Sequence, residues 1–209
     1  ANMAVAFYSR GLAYLDATQY DRAIADFDQV LRLEPASGSV FYNRGLAYLR
    51  ARQYDRAIAD FDQAIRLKPT DTDALYNRAL AHNGRGDTEK EIQDYDEVIR
   101  LTPDDAGAFY NRGLAHVRSG NAERAIADFD QAIRLDPTDV NALIVRGNAY
   151  SDKGQFDRAI QDYDEAIRLD PRNALAFYNR GNAWHSKRQL DRAIEDYSEA
   201  IRLDPNDAD

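Results

Sequence analysis

The chain has 209 residues, a formal net charge of −9 and no cysteine. Hydrophobic residues make up 44% and charged residues 30%, which excludes a disordered chain, and no apolar run approaches the ~20 residues that span a bilayer. The acidic balance disfavours nucleic acid and anionic membrane surfaces as partners, and the lack of thiols removes disulfides, thiolate catalysis and Cys-ligated zinc.

The six prolines, Pro35, Pro69, Pro103, Pro137, Pro171 and Pro205, stand 34 residues apart. A residue type locked to one interval marks a copied unit, here over residues 4–37, 38–71, 72–105, 106–139, 140–173 and 174–207. Apolar residues recur at helical spacing twice per unit, on either side of a polar break holding Gln53, Asp87, Asn121 or Gln155, often beside Gly86, Gly120 or Gly154. Each unit therefore reads as helix–turn–helix. Acidic residues open the second helix (Asp21, Asp55, Glu89, Glu123, Asp157, Asp191), where the helix dipole favours them. Proline then stops it. Two residues on, Ser37, Asp71, Asp105, Asp139, Asn173 or Asp207 is placed to cap the next helix.

Small residues on the first helix (Gly11, Gly45, Gly113, Gly147, Gly181) are expected to face small ones on the second (Ala23, Ala57, Ala125, Ala159, Ala193). Phe27, Phe61, Tyr95, Phe129, Tyr163 and Tyr197 would then fill the space towards the neighbouring unit. One unit cannot bury enough apolar surface to fold alone, so stacking is obligatory.

The series Phe41, Gly45, Tyr48, Ala57, Phe61, Ala64, Pro69, repeated along the chain, resembles the tetratricopeptide signature. The resemblance implies an all-α fold: an α-solenoid, a right-handed superhelix of antiparallel helix pairs over residues 1–209 as a single array. First helices would line a concave groove that holds peptides or partner proteins. At the fifth position of each unit stand Tyr8, Tyr42, Tyr76, Tyr110, Ile144 and Tyr178; at the sixth, Ser9, Asn43, Asn77, Asn111, Val145 and Asn179; at the ninth, Leu12, Leu46, Leu80, Leu114, Asn148 and Asn182. Tyrosine and leucine offer amphipathic contact area, and each Asn offers a donor and an acceptor. The Asn row resembles the asparagine ladder of O-linked N-acetylglucosamine transferases, broken here at Ser9 and Val145. The groove is expected to be apolar over units one to four and more polar over five and six; the plainer alternative is that these residues only pack repeat on repeat. The family's carboxylate clamp would need Lys and Asn at the fifth and ninth positions, which hold Tyr and mostly Leu, so that use is rejected.

All six units carry Arg before the small residue (Arg10, Arg44, Arg78, Arg112, Arg146, Arg180) and Asp sixteen residues later (Asp26, Asp60, Asp94, Asp128, Asp162, Asp196). An ion pair fixing hairpin register is one reading; an arginine row for acidic ligands is the other. His82 and His116 occupy equivalent positions expected to pack on the groove side, and with His185 they lack the spacing of a zinc site. Arg85-Gly86-Asp87 spells an adhesion tripeptide but falls on a turn. Carboxylates interleaved with Arg on outward faces read as solvated surface. In the third unit Ala79 and Glu91 replace the small pair, with Gly84 and Gly86 nearby, and predict a widened hairpin or soft joint.

No phosphate loop, nucleophile elbow or dinucleotide fingerprint occurs. The expected function is a non-enzymatic protein-interaction scaffold without cofactor or metal. The alternatives are a docking or regulatory arm of a larger enzyme and an engineered array without native ligand. Ile194, Tyr197 and Ile201 should be left partly uncovered on the last helix, predicting either an excerpt of a longer array or end-to-end self-association. The start at Ala1 reads as a trimmed or mature form. A cysteine-free chain without a visible leader suits the cytoplasm and is compatible with an exported mature protein.

Overall fold

The computed structural model describes residues 2–205; Asp207, expected as a cap, lies outside them. The described residues form twelve α-helices and no strand: α1 (Asn2–Asp16), α2 (Tyr20–Leu33), α3 (Gly38–Arg50), α4 (Tyr54–Leu67), α5 (Thr72–Arg85), α6 (Thr88–Leu101), α7 (Ala106–Arg118), α8 (Ala122–Leu135), α9 (Val140–Asp152), α10 (Phe156–Leu169), α11 (Ala174–Ser186) and α12 (Leu190–Leu203). Each odd-numbered helix pairs antiparallel with the next, and hairpins stack as a solenoid within two compact units, residues 1–103 and 104–209.

Local chemistry sets the helix ends. Every second helix stops two residues before its proline, because the residue preceding proline is driven to extended backbone; Glu34, at φ −133° and ψ 78°, is one example. Asp71, Asp105 and Asn173 accept from the amides of Ala74, Ala108 and Ala176, and Asp139 from Asn141 and Ala142. These are four of the expected caps. Ser37 is a correction: its hydroxyl meets Ser39 Oγ at 3.3 Å and caps nothing, the shorter side chain having found a closer partner.

Inside the hairpins the small-to-small pairing is also corrected. A Cβ added at Gly11, Gly45, Gly113, Gly147 or Gly181 would come within 2.5–2.8 Å of the ring of Phe27, Phe61, Phe129, Tyr163 or Tyr197. Glycine therefore makes room first for the aromatic residue of its own hairpin, and at Gly181 the Ala193 backbone follows at 3.4 Å. Those rings fill the hairpin interior: Phe27, Phe61 and Phe129 are fully buried, as are the alanines Ala23, Ala57 and Ala125.

The third hairpin (α5–α6) is not widened. Arg78 meets Asp94 at 2.5 and 2.9 Å, the reach found in the other hairpins. The extra methyl of Ala79 is taken up by Tyr95, which turns edge-on to Tyr76 (5.4 Å, 79°), whereas Tyr42 and Phe61 lie tilted (6.0 Å, 55°). Glu91 is buried. Gly84 is no loosening either: a Cβ there would lie 2.3 Å from the Tyr54 ring, so its absence lets α4 press against α5.

Candidate functional site

Each of the two compact units carries two sets of repeated polar residues. The first consists of the six Arg–Asp pairs, all of which form. Arg44 Nε and Nη2 donate to Asp60 at 2.7 Å, and Arg10, Arg78, Arg112, Arg146 and Arg180 repeat this fork with Asp26, Asp94, Asp128, Asp162 and Asp196. Sequence reasoning missed a second carboxylate. The remaining Nη1 of Arg44 donates to Asp28 of the preceding hairpin at 2.5 Å, and Arg78 reaches Asp62, Arg146 Asp130 and Arg180 Asp164 at 2.6–2.7 Å. Each of these arginines thus ties its own hairpin and clasps the one before it.

Hydrogen bonds to Asp60 and Asp196 push the guanidiniums of Arg44 and Arg180 further up and keep them charged. Burial pushes the Asp60 and Asp162 carboxyls up, against the pull of Arg44 and Arg146. An arginine held by two carboxylates has its planar fork filled. The row serves as architecture: Arg44, Arg78, Arg146 and Arg180 each spend three of their five N–H donors on two carboxylates of this chain, which disfavours the acidic-ligand reading.

His82 and His116 belong to this row rather than to the groove side. Their Nε2 atoms lie 3.8 Å from Asp94 and Asp128, and both rings are buried. Burial holds the His82 imidazole below its ordinary value, and Asp94 and Asp87 only partly oppose it. Arg85 and Asp87 of the adhesion-like tripeptide pair with each other, and Arg85 also reaches Asp55 at 3.0 Å, so the turn is occupied by its own ion pairs.

The second row holds the expected groove residues. In residues 1–103, Tyr8, Leu12, Tyr42, Asn43, Leu46, Tyr76, Asn77 and Leu80 are all half-buried. Their tyrosine rings rest on the interior aromatics, Tyr8 on Phe27 and Tyr42 on Phe61 at 6.0 Å. The asparagines do not present both donor and acceptor as expected. Asn43 Nδ2 donates to Tyr8 Oη (2.9 Å) and to the Ser39 carbonyl (2.9 Å); Asn77 Nδ2 donates to Tyr42 Oη (3.3 Å) and to the Asp73 carbonyl (2.8 Å). Both amide hydrogens are used, which leaves Oδ1 as an acceptor and the tyrosine hydroxyl hydrogen as a donor.

In residues 104–209, Tyr110, Asn111, Leu114, Asn148, Asn179 and Asn182 are half-buried and Tyr178 is exposed. The sixth position donates as before, Asn111 Nδ2 to the Gly107 carbonyl (2.9 Å), while the ninth position brings asparagines of the opposite polarity at Asn148 and Asn182. Asn148 Oδ1 accepts from Tyr163 Oη (2.8 Å) and from Asn179 Nδ2 (3.1 Å), and Asn182 Oδ1 accepts from Tyr197 Oη (2.8 Å). With the carbonyl engaged, the amide N–H groups of Asn148 and Asn182 are left to donate. A signal for this lay in five of the six copies: where the second helix carries Phe27, Phe61 or Phe129 the ninth position is Leu, and where it carries Tyr163 or Tyr197 that position is Asn, whereas the third copy sets Leu80 with Tyr95. A buried hydroxyl needs a partner and a phenyl ring does not.

Profiles of the tetratricopeptide repeat match residues 8–72, 42–106 and 144–208, and a further one matches residues 78–149. The chain belongs to the tetratricopeptide repeat family. Proteins of this family generally act as scaffolds for proteins or peptides. A search of curated sequences finds no match. Among solved structures, a tetratricopeptide repeat protein from Parabacteroides merdae aligns with TM-score 0.84 at 21% identity, covering 97% of this chain and 80% of that one. MamA from Desulfovibrio magneticus aligns with TM-score 0.77 at 21% identity (82% of this chain, 97% of that). YrrB, described as a TPR protein with an unusual peptide-binding site, aligns with TM-score 0.74 at 21% identity (87% and 93%). At such identities the likeness is one of fold. Among the described residues, no group of three or more His, Cys, Asp or Glu is placed to hold a metal ion, and no helix is long and apolar enough to cross a membrane.

Proposed function

We propose that this tetratricopeptide repeat chain is a non-enzymatic scaffold that binds an extended peptide, or an extended segment of a partner protein, along the tyrosine–asparagine row of its first helices. The carrying observation is the hydrogen-bonding of the row's asparagines, taken in each compact unit by itself. Asn43 and Asn77 have donated both amide hydrogens and keep an acceptor, while Asn148 and Asn182 have engaged their carbonyls and keep donors. An extended backbone offers N–H groups to the former and carbonyls to the latter, and needs no particular side chain to do so. Tyrosines beside the asparagines in each unit supply amphipathic area at low entropic cost. The peptide-binding site named for YrrB adds support by analogy of fold. The exposed last helix supports a second part of the reading, end-to-end association of the scaffold through its C-terminal repeat.

The test is a library of extended peptides screened against the intact chain. Tyr110→Ala and Asn111→Ala should each weaken the selected peptides about tenfold, the cost of a lost anchor or hydrogen bond, with the circular dichroism spectrum unchanged. A library yielding no binder, or binders indifferent to both substitutions, would refute the groove.

A further inference from the structure

We propose that the exposed face of α11 and α12 seats helix α1 of a second copy of this chain, in a head-to-tail seam whose two polar clasps have been weakened to serine. This rests on the end-to-end part of the proposed function and names its partner.

The seams within the chain show what such a face accepts. Between α10 and α11, Ala176 packs into a cluster with Leu143, Ile144 and Ala166; Arg180 clasps Asp164 at 2.6 Å and Asn179 donates to Asn148. Between α2 and α3, Arg44 clasps Asp28 and Asn43 donates to Tyr8. In these two seams the inserted first helix thus brings Val40 or Ala176 at its third position, the arginine at its seventh, an alanine at its tenth and, at its sixth, an asparagine.

The last hairpin presents the same receptor without an insert. Leu175, Tyr178, Tyr197, Ala200 and Ile201 line a groove of about 660 Å³. Ile201 is 66% exposed, whereas its equivalent Ile167 is half-buried, and Ala200 is half-buried where Ala166 is fully covered. Among the described residues, nothing covers the complementary face of helix α1. Ala6 and Ala13 are exposed there, although their equivalents Ala176 and Ala183 are completely buried, and the Arg10 side chain is 58% exposed with Asp26 on one edge.

The polar links change at this junction. Arg10 would face Ser198, which stands where the other five units carry Asp28, Asp62, Asp96, Asp130 and Asp164 and whose hydroxyl donates to the Ile194 carbonyl. Ser9 would face Tyr178 in place of an asparagine, and a serine does not reach as far. The apolar fit is retained while both clasps are lost, so the contact is weak and reversible. A further helix with the same pattern, from any other source, would be a competitor for the groove.

Sedimentation of the 209-residue chain over a wide concentration range decides the matter. Association should appear at high concentration and vanish in Ala6→Glu and in Ile201→Glu, both at exposed positions. In Ser198→Asp, which restores the interior clasp, the dissociation constant should fall about tenfold, the worth of one charge-assisted hydrogen bond. Association abolished by Ile201→Glu but indifferent to Ala6→Glu would overturn α1 as the occupant while leaving the end-to-end reading standing. Association indifferent to both, or a chain that stays monomeric even as Ser198→Asp, would overturn both. Peptide binding along the row is independent of these outcomes.

Discussion

The second hairpin (α3–α4) and the third (α5–α6) are neighbours in residues 1–103, and they hold the same outline with different centres. In the second, Gly45 lies against Phe61, Ala57 is buried and Tyr48 stands beside the ion pair; in the third these places are taken by Ala79, Tyr95, Glu91 and His82. The frame does not move. Arg44–Asp60 (2.7 Å) and Arg78–Asp94 (2.5 and 2.9 Å) form the same two-pronged bond, and the turns repeat the same bonds, Gln53 to Tyr48 and Asp87 to His82, at 2.8–2.9 Å. What is constant across the two is polar and directional, whereas the apolar filling is negotiable provided one ring can turn. A core is close-packed but can be repacked if volume is conserved, whereas a buried bidentate pair does not tolerate the loss of one partner alone.

The strongest way to break that comparison is to remove the constant part. Arg44→Leu leaves Asp60, buried beneath it, without its guanidinium, and should cost about 3 kcal/mol in urea unfolding of the full chain. Arg78→Leu should cost a similar amount despite the altered centre. Replacing Asp60 as well, in Arg44→Leu with Asp60→Leu, should recover most of the loss, because the penalty lies in the orphaned charge rather than in the pair. A third hairpin indifferent to Arg78→Leu would show that its unusual centre carries the frame instead.

A smaller effect sharpens the variable part. Gly45→Ala places a Cβ 2.8 Å from the Phe61 ring. The alanine gains about 1 kcal/mol in helix propensity, and overpacking takes back roughly 1–3 kcal/mol, so a net loss of about 1 kcal/mol is expected. At the equivalent place in the third hairpin the preference is opposite: Ala79→Gly should lose about 1 kcal/mol, since Tyr95 has already turned to admit the methyl. Thermal unfolding of both variants tests this. Stabilisation by Gly45→Ala would mean that Phe61 turns as freely as Tyr95.

Much of this frame was legible in the sequence, and the reasons differ by residue. The 34-residue proline interval and the caps Asp71, Asp105, Asp139 and Asn173 are local signals and placed the helices. Arg44 and Asp60 stood out because both occur in every copy. Asp28 and Asp62 occur almost as regularly, yet they lie on a helix face that reads as solvated surface, and only a neighbouring hairpin reveals their partner. Their one departure, Ser198, was visible and went unread. Polarity of the asparagine row could not be read from residue type. Whether Asn43 offers its carbonyl or its amide depends on Tyr8, 35 residues away, and the Tyr163–Asn148 bond appears only when the copies are compared with one another.

The smallest effect lies in the turns, where the two hairpins again share a frame and differ in one residue. Arg52 sits at φ 57° and Gly86 at φ 86°, and their amides make equivalent bonds, to Leu49 and Asn83 at 2.9 Å. This is the left-handed residue that closes a helix. A side chain there costs about 1–2 kcal/mol, while glycine carries an entropic cost of roughly 0.5–1 kcal/mol. Arg52→Gly should therefore stabilise the second hairpin by about 0.5 kcal/mol, and Gly86→Ala should destabilise the third by about 1 kcal/mol. Amide hydrogen exchange at Gln53 and Asp87 is the sensitive measurement, because local opening of one turn registers there before the whole array unfolds. Faster exchange at Gln53 in Arg52→Gly would show that the arginine, strained as it is, holds the turn through its side chain.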